Sequence, residues 1–375
     1  MEIVVNTRLL LKNRLEGIGW FTFETLKRIT RERPNDHFIF LFDRHFDEDF
    51  IFADNITPLI LSPPARHPVL FYIWFEYSVA SFLNKYKPDL FLSPDGYLSL
   101  KAKCKQLPVI HDINFEHYPK DLSFVVHRYL TYFFPKFARK ASRIATVSEF
   151  SKKDIVQTYD IDAQKIDVIY NGCNELFTPV TDIKRQETKI KFSAGSDYFL
   201  FVGALHPRKN ISRLFKAFDA FKSRQSTPVK LVIVGEKYYW TSEIKHTYIS
   251  MKYKDEVIFT GRLSQNDLKD VVASALAMTY VPYFEGFGIP ILEAMHCDVP
   301  VITSNVTSMP EVAADAALLI DPFSIDAISE AMSHIYNDTQ LRSSLIEKGR
   351  IRRQDFSWAK TANALWESIE KTQLD

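Results

Sequence analysis

Glycine, cysteine and long hydrophobic runs are all scarce in this chain of 375 residues. Only 11 glycines occur, well below the usual share of about 7%, so each position is informative. Three cysteines, Cys104, Cys173 and Cys297, lack the spacing of a metal site or a redox motif. No apolar run approaches the roughly 20 residues that span a bilayer. Without a signal-peptide pattern, these absences predict a reducing, cytoplasmic setting.

A strong charge of either sign is also missing. Lysine and arginine number 47 against 46 acidic residues, for a formal net charge of +1. Because no long run of like charge occurs, the sequence predicts no nucleic-acid partner. An apolar content of 46% and a charged content of 25% are ordinary for a globular protein. The length favours two domains over one.

The stretch 278–300, MTYVPYFEGFGIPILEAMHCDVP, combines an apolar strand, a glycine turn and a helix that a proline opens. Gly286 and Gly288 allow a ligand to approach the backbone closely. The unpaired N–H groups and the dipole of a helix that begins here favour phosphate. Glu285 and Glu293 would flank that anion, and ligand hydroxyls are the partners such carboxylates suit. On spacing alone, a buried strand-to-helix corner is an equal alternative.

Glycines also mark the carboxyl ends of other strands in the C-terminal half. Four apolar segments lead into glycine, at Gly203, Gly235, Gly261 and Gly286. This pattern predicts a parallel sheet whose loops gather at one edge, where open α/β sheets bind ligands. Arg208 and Lys209 follow the first of these strands, in a place suited to neutralising a diphosphate. A solvated basic pair is the alternative for these two residues.

The N-terminal half repeats the strand pattern with weaker site signals. Gly17-Ile18-Gly19 precedes a helical pattern, but position 22 is Thr, so the full dinucleotide motif G-x-G-x-x-G is missing. His111 and Asp112 stand at the end of the apolar segment LPVIHD. They are expected at the carboxyl edge of the sheet, although a lone histidine there is more often structural than catalytic.

The alternation of strands and helices predicts an α/β protein with two doubly wound, Rossmann-like domains. The expected N-terminal domain spans 1–177 and would bind the acceptor. A polar stretch, 178–197, reads as the linker. The expected C-terminal domain spans 198–355, and a final helix over 356–375 is a candidate to pack back on the first domain.

Two aromatic runs and one acidic triplet allow more than one interpretation. The runs 69–77 and 129–137 suit a core or a domain-packing surface, and a membrane-facing surface is the alternative. The triplet Asp47-Glu48-Asp49 is similar to a metal-binding D-x-D motif, but it lies in a polar stretch and is expected to be solvated. The sequence therefore predicts no metal site.

The segment EGFGIPILEAMHCDVPVITSNVTSMPEV resembles the nucleotide-sugar-binding segment of the retaining family 4 glycosyltransferases, also called glycosyl transferases group 1. Their GT-B fold has two Rossmann-like domains that face each other across a cleft. The family motif E-x7-E is matched by Glu285 and Glu293. The likeness extends to VGALHPRKNISRLFKAF, VIYNG, TVSEFS and HDINFEHYP, so it covers most of the chain in the expected order.

The resemblance implies transfer of a hexosyl group from a nucleoside diphosphate sugar to an acceptor hydroxyl, with retention at the anomeric carbon. It assigns Glu285 to hydroxyls of the transferred sugar and Glu293 to the ribose. Arg208 and Lys209 would hold the diphosphate and stabilise the leaving group, and His111 would orient the sugar near the reacting carbon. Since Arg208, Lys209 and the helix terminus would supply the positive charge, the resemblance implies no metal and no further cofactor.

Other residues of the resembling motifs are expected around the donor through backbone groups. These are Gly17, Gly19, Gly203, Gly261, Arg262, Gly286, Phe287 and Gly288. The chain departs from many members at Ala204, where they have arginine, so Arg208 is expected to share the diphosphate with Lys209.

The HDINFEHYP segment resembles mannosyl-transferring members that act on bacterial surface polysaccharides. GDP-mannose is therefore the first expectation for the donor, a UDP-sugar is the alternative, and the acceptor is a glycan or a lipid-linked glycan. Peripheral contact with the inner face of the membrane is a further alternative. A sugar-nucleotide epimerase, a phosphorylase, an NAD-dependent dehydrogenase and a non-catalytic scaffold are the competing interpretations.

Overall fold

The computed structural model describes residues 1–237 and 240–374, which belong to two compact units. The first unit comprises Met1–Gly172 together with the segment that begins at Ser357, and the second unit comprises Cys173–Phe356. Among the described residues, no helix combines the length and the apolar character needed to cross a membrane.

The first unit is built on a parallel sheet of seven strands with the order β3-β2-β1-β4-β5-β6-β7. The strands are β1 (Glu2–Asn6), β2 (His37–Phe42), β3 (Ile56–Ile60), β4 (Leu90–Ser93), β5 (Lys105–Ile110), β6 (Ile144–Thr146) and β7 (Ile166–Val168). The helices are α1 (Gly17–Glu32), α2 (Pro68–Ile73), α3 (Ala80–Tyr86), α4 (Asn114–His117), α5 (Phe124–Lys140), α6 (Glu149–Tyr159) and, near the C-terminus, α15 (Trp358–Leu374). One π-helical segment, Trp74–Val79, joins α2 to α3.

The strands of this sheet are nearly continuous apolar runs because helices cover both faces. In β2, Phe38, Phe40 and Phe42 are all buried. The aromatic runs 69–77 and 129–137 contribute Trp74 and Phe137 to the core and also leave other rings at the surface. The sequence interpretation of these runs as core is therefore confirmed for part of each run.

The final helix, α15, lies in the first unit and packs along α1. Thr361 Oγ1 donates a hydrogen bond to the Tyr170 carbonyl at 2.7 Å, and Ser368 Oγ donates to Asp167 at 2.8 Å. Arg33 places its guanidinium 4.8 Å from the centre of the Trp366 ring. These contacts fix the last helix to the strands and helices of the N-terminal half.

The second unit has a parallel sheet of six strands with the order β10-β9-β8-β11-β12-β13. The strands are β8 (Tyr198–Val202), β9 (Lys230–Val234), β10 (Val257–Gly261), β11 (Ala277–Tyr280), β12 (Val301–Ser304) and β13 (Leu318–Ile320). The helices are α7 (Asp182–Ser193), α8 (Ile211–Arg224), α9 (Ser242–Ser250), α10 (Gln265–Ala273), α11 (Ile289–His296), α12 (Met309–Ala313), α13 (Ile325–Asn337) and α14 (Thr339–Arg352). The predicted α/β class with two doubly wound sheets is confirmed.

Each sheet has one place where the strand order reverses, which we call its switch point. It lies between β1 and β4 in the first unit and between β8 and β11 in the second. Loops that leave two such strands diverge to opposite faces of the sheet and open a crevice at the carboxyl edge. The residues that follow these four strands therefore decide what each crevice can hold.

The stretch 178–197, expected as a linker, is different in the structure. Most of it forms α7, which belongs to the second unit and packs against α10. Thr181 caps this helix by accepting a hydrogen bond from the Lys184 N–H at 3.3 Å. Its buried residues include Thr188 and Ser193, which are polar. The apolar periodicity that signals a helix is therefore weak, and the linker expectation was wrong here.

Candidate active site

The loop that follows β8 presents two cations at the switch point of the second unit. The His206 side chain accepts a hydrogen bond from the Arg208 N–H at 3.3 Å and holds a single 3-10 turn that carries Arg208 and Lys209. Asn210 ends the turn with a φ of 65° and donates to the Val281 carbonyl at 3.0 Å. The turn is thus bonded to the loop after β11, and the two cations have fixed positions.

The loop that follows β11 carries the predicted turn and the first glutamate. The Tyr283 N–H donates to the Arg208 carbonyl at 3.0 Å, which joins this loop to the cationic turn. Ser308 Oγ donates to the carbonyls of Glu285 at 2.8 Å and Phe287 at 3.4 Å. These bonds hold the backbone of the Glu-Gly-Phe-Gly turn from the side of α12.

Gly288 forms the junction between this turn and α11. Its φ of 98° lies in the left-handed region, and a Cβ atom there would stand 2.7 Å from the Cε of Met309. Only glycine meets both demands without strain. Pro290 occupies the first turn of α11, as predicted, where its missing N–H has no helical partner to lose.

The two cations converge on one oxygen of Glu285. Oε2 accepts from Arg208 Nη1 at 2.7 Å, from the Lys209 ammonium and from the Tyr280 hydroxyl at 3.0 Å. Lys209 also donates to the Tyr280 hydroxyl. Burial alone would raise the pKa of Glu285, but the charges of Arg208 and Lys209 and the hydrogen bonds hold it at about 2. Glu285 is therefore ionised throughout the physiological range.

Glu293, the second glutamate of the motif, has the opposite environment. It lies on α11, and although the residue keeps partial solvent contact, protein surrounds its carboxyl group. Burial raises its pKa to about 7. No described residue forms an ion pair or a hydrogen bond with this side chain, so the carboxylate is uncompensated. An uncompensated buried carboxylate is costly to the fold, and such groups concentrate at functional sites.

Glycines at the other strand ends keep this edge of the sheet compact. Gly203 follows β8 and Gly235 follows β9, and a Cβ atom on Gly235 would stand 2.0 Å from the Gly203 carbonyl oxygen. The two loops can approach this closely only because Gly235 has no side chain. Gly261 ends β10, and Arg262 follows it at the surface.

His111 lies in the first unit, directly after β5. Its Nε2 donates to the Pro94 carbonyl at 2.9 Å, and its ring meets the Phe21 ring edge-to-face with centroids 5.1 Å apart. Ser151 Oγ donates to the His111 carbonyl at 3.1 Å. Burial lowers the pKa of His111, so the ring is neutral at pH 7.

Gly17 and Gly19 also belong to the first unit, but they do not form a loop before the helix. α1 begins at Gly17, and the Trp20 N–H already donates to the Glu16 carbonyl at 2.7 Å. Gly19 is buried, and a Cβ atom there would stand 3.2 Å from the Leu9 carbonyl oxygen. The expectation that the glycine pair precedes the helix was wrong in this detail, because α1 already begins at Gly17.

The structure brings Arg208, Lys209 and Glu285 into direct contact, with Glu293 on the helix that follows. Tyr280 and Ser308 were missed by sequence reasoning. Tyr280 ends an apolar strand and reads as core, and Ser308 lies 23 positions from the glutamate that it supports. No local sequence signal distinguishes either residue.

The acidic triplet contributes two carboxylates to ion pairs at the surface of the first unit. Asp47 pairs with Lys12 at 2.6 Å on the surface of the first unit. Among the described residues, no three histidine, cysteine or acidic side chains are arranged to hold a metal ion.

Comparisons with known proteins place this geometry in a family. The profile described as Glycosyltransferase Family 4 matches residues 16–175, and the profile described as Glycosyl transferases group 1 matches residues 182–352. The O-antigen chain mannosyltransferase RfbU of Salmonella typhimurium (strain LT2) is 31% identical over 262 residues, which cover 70% of this chain and 69% of the relative. The O-antigen chain mannosyltransferase B of Escherichia coli is 28% identical over 364 residues, 93% of this chain and 94% of that protein.

A solved structure shows the same fold over nearly the whole chain. HepE of Anabaena, crystallised with UDP and glucose, aligns with a TM-score of 0.77 at 17% identity and covers 99% of this chain and 100% of its own. The two doubly wound sheets and this structural likeness place the chain in the GT-B fold class. The chain belongs to the family 4, group 1 glycosyltransferases, and it is a glycosyltransferase. The family resemblance and the predicted enzyme class are confirmed.

Proposed function

We propose that this enzyme transfers a mannosyl group from GDP-mannose to a hydroxyl of a glycan or a lipid-linked glycan in the synthesis of bacterial surface polysaccharide. The names of two relatives, both O-antigen chain mannosyltransferases, support the sugar and the pathway class. One observation carries the site: the Arg208–Lys209–Glu285 cluster at the switch point, followed by the uncompensated Glu293.

The cationic turn suits the diphosphate of the donor. Glu285 neutralises one of the two cations, so the cluster keeps one net positive charge. A diphosphate would take up that charge and share the hydrogen-bond donors of Arg208 and Lys209. As the bond to the sugar breaks, negative charge grows on the leaving diphosphate, and fixed cations stabilise it more than they stabilise the ground state.

The two glutamates suit the sugars on either side of that diphosphate. Every hydrogen bond that the described residues donate to the Glu285 carboxylate reaches Oε2, and none of them reaches Oε1. We assign Oε1 to hydroxyls of the transferred sugar. The Glu293 carboxylate, which lacks any partner within the described residues, is assigned to the ribose hydroxyls, since two adjacent hydroxyls can donate to its two oxygens.

A thermal-shift panel with GDP, UDP, ADP and their sugars tests the donor. The proposal expects GDP and GDP-mannose to raise the melting temperature most, because a ligand that binds only the folded state stabilises it. A transfer assay with GDP-mannose and a mannose-bearing acceptor follows, with the anomeric configuration of the product read by NMR. Preference for UDP or ADP would overturn the donor. Turnover of the donor sugar without acceptor, or only with inorganic phosphate, would favour an epimerase or a phosphorylase.

We also propose that the first unit contacts an anionic membrane surface when the acceptor is lipid-linked. At the start of α5, Phe124 and Val125 are 76% and 52% exposed, and Tyr132, about two turns further along the same side of the helix, is 59% exposed. Lys136 lies 3.3 Å from the centre of the Tyr132 ring, and Arg128 lies 6.0 Å from that of Phe124. Apolar side chains flanked by cations suit the interface of a bilayer with anionic lipids.

Co-sedimentation with vesicles tests this contact. Vesicles that contain anionic lipid should retain the protein, vesicles of neutral lipid should retain less, and Phe124→Ser with Val125→Ser should abolish the difference. Ile183→Ser is the matched control, because Ile183 is also 76% exposed but lies on α7 in the second unit. Equal binding of wild type and the double variant would contradict the proposal.

A further inference from the structure

The switch point of the first unit is occupied by a buried ion pair. Arg8 follows β1 and Asp95 follows β4, and Arg8 Nε donates to Asp95 Oδ2 at 2.6 Å. The side chains are 7% and 4% exposed. The guanidinium also lies 4.6 Å from the centre of the Tyr97 ring and 4.9 Å from that of Phe71. The protein's own side chains therefore fill the position where many sheets of this kind bind a ligand.

Asp95 uses its second oxygen to hold the turn that follows β4. Oδ1 accepts from Asn6 Nδ2 at 2.9 Å, from Ser93 Oγ at 3.1 Å and from the Tyr97 N–H at 3.3 Å. The Gly96 N–H closes the same turn by donating to the Ser93 carbonyl at 3.2 Å. Because the buried Asp95 carboxylate is bonded at both oxygens, it holds the turn from Ser93 to Gly96 rigidly in one conformation.

Pro94, inside this turn, directs its carbonyl at His111. Its oxygen accepts from His111 Nε2 at 2.9 Å. Because a carbonyl oxygen can only accept, the ring proton must lie on Nε2. A neutral ring with that proton has its lone pair on Nδ1. No described residue donates a hydrogen bond to Nδ1.

We propose that the Arg8–Asp95 pair is a positioning element: through the Pro94 carbonyl it holds His111 in the Nε2–H tautomer, so that Nδ1 is left to accept a hydrogen bond from a substrate hydroxyl. The hydroxyl as ligand rests on the proposed function. The tautomer does not, since it is a property of the ligand-free protein. In this role His111 orients the substrate through Nδ1 as an acceptor and donates no proton there.

The first test reads the tautomer directly. Two-bond ¹H–¹⁵N correlation spectra of protein labelled at histidine distinguish Nε2–H, Nδ1–H and doubly protonated rings, and the His111→Gln variant assigns the signal. We expect a neutral ring with Nε2–H at pH 7 in the wild-type protein. A ring with Nδ1–H, or a doubly protonated ring, would overturn the proposal whether or not transferase activity is found.

The second test weakens the turn and measures tautomer and turnover together. Asp95→Asn removes the charge and keeps the shape. We expect the Nε2–H signal to be joined by Nδ1–H, and kcat to fall about tenfold, as loss of a ring-orienting partner costs at other histidine sites. The KM for the donor should change less than twofold, because the diphosphate and ribose contacts remain. If Asp95→Asn does not fold, Ser93→Ala weakens the same turn by removing two hydrogen bonds, the one that Ser93 Oγ donates to Asp95 and the one that it accepts from Asn6.

Asp167→Asn is the matched control. Asp167 is also in the first unit and accepts from Arg143 Nε and Nη2, each at 2.9 Å, but it has no connection to Pro94. It should leave the His111 tautomer and kcat unchanged. If Asp95→Asn lowers only the melting temperature, while kcat per folded molecule and the tautomer stay as in the wild type, the pair is merely structural. If no donor is turned over by the wild type, the proposed function fails while the spectra still decide the tautomer.

Discussion

The two switch points of this protein carry the same kind of pair in different surroundings. In the first unit the Arg8–Asp95 pair is 7% and 4% exposed and is covered by aromatic rings. In the second unit Arg208, Lys209 and Glu285 are 20%, 11% and 13% exposed. We call the switch point of the first unit the closed point, because both oxygens of the Asp95 carboxylate have protein partners. We call that of the second unit the open point, because Glu285 Oε1 has no partner among the described residues.

This difference in exposure indicates that the charges of the closed point serve the fold, whereas those of the open point can bind a ligand. A buried pair gives little net stability but is costly to break, because one partner is then left charged without water. A cluster with excess positive charge and an unpartnered oxygen can instead exchange protein contacts for ligand contacts. We therefore expect substitutions at the closed point to act first on stability, and substitutions at the open point to act first on turnover.

The largest effect expected is on stability, for Arg8→Ala at the closed point. This change leaves Asp95 charged and buried, and the free energy of unfolding should fall by about 3–5 kcal/mol. Urea denaturation followed by circular dichroism measures it. Arg143→Ala is the control, because the Arg143 and Asp167 side chains are 13% and 16% exposed and water can reach them. A loss for Arg8→Ala no larger than that of the control would break the comparison.

At the open point, Lys209→Ala should lower kcat by about a hundredfold, the usual cost of one charge-stabilising donor. Glu285 keeps its bond to Arg208, so the melting temperature should change little. Lys189→Ala is a matched control, because Lys189 is 13% exposed and pairs with Asp197 in the same unit. An unchanged kcat, or a collapse in melting temperature, would show that Lys209 serves the fold rather than the diphosphate.

The sequence predicted the parts of each switch point whose residues lie close together in the chain, and it did not predict the contacts between residues that are far apart. Glu285, the glycines and Pro290 lie within one strand-turn-helix segment, so local spacing predicted the turn and α11. The Arg8–Asp95 pair joins residues 87 positions apart, and in the sequence both read as ordinary surface charges. The spacing of residues along the sequence does not show which side chains become buried, and the closed and the open point differ in burial. For the same reason the opposite pKa shifts of Glu285 and Glu293 could not be predicted.

A smaller effect is expected for Glu293→Gln, which tests the uncompensated carboxylate next to the open point. At pH 8 the loss of charge-assisted bonds to the ribose should weaken donor binding about tenfold. In the wild type, a pKa of about 7 means that the ionised fraction falls as the pH is lowered. Donor affinity should therefore drop about fivefold from pH 8 to pH 6, and the variant should show no such drop. Calorimetry with the nucleotide sugar measures this, since its diphosphate diester does not titrate there.

Although Glu293→Gln should bind the donor more weakly, the folded variant should be more stable than the wild type. The pKa of Glu293 is raised from 4.5 to about 7 on folding. Its contribution to stability is therefore fully present below about pH 4.5 and is lost as the pH rises through 7. Glu293→Gln should melt at a higher temperature than the wild type at pH 8, with a smaller difference at pH 5. A Glu293→Gln variant that is less stable than the wild type at pH 8 would contradict the raised pKa of Glu293.

For Glu285, whose pKa is lowered to about 2, stability is instead lost as the pH falls from 4.5 towards 2.

The smallest effect is expected for Tyr280→Phe, which removes one neutral donor from the open point and keeps both cations. The Tyr280 hydroxyl lies 3.0 Å from Glu285 Oε2, and the ring stacks on Phe201 with centroids 6.0 Å apart. Since Glu285 stays bonded to Arg208 and Lys209, kcat/KM should fall only about threefold. Tyr159→Phe is the control, because its hydroxyl bonds Glu116 at 3.0 Å in the first unit. A loss as large as that of Lys209→Ala would mean that the open point depends on a complete hydrogen-bond network, as the closed point does, and that exposure alone does not separate the two.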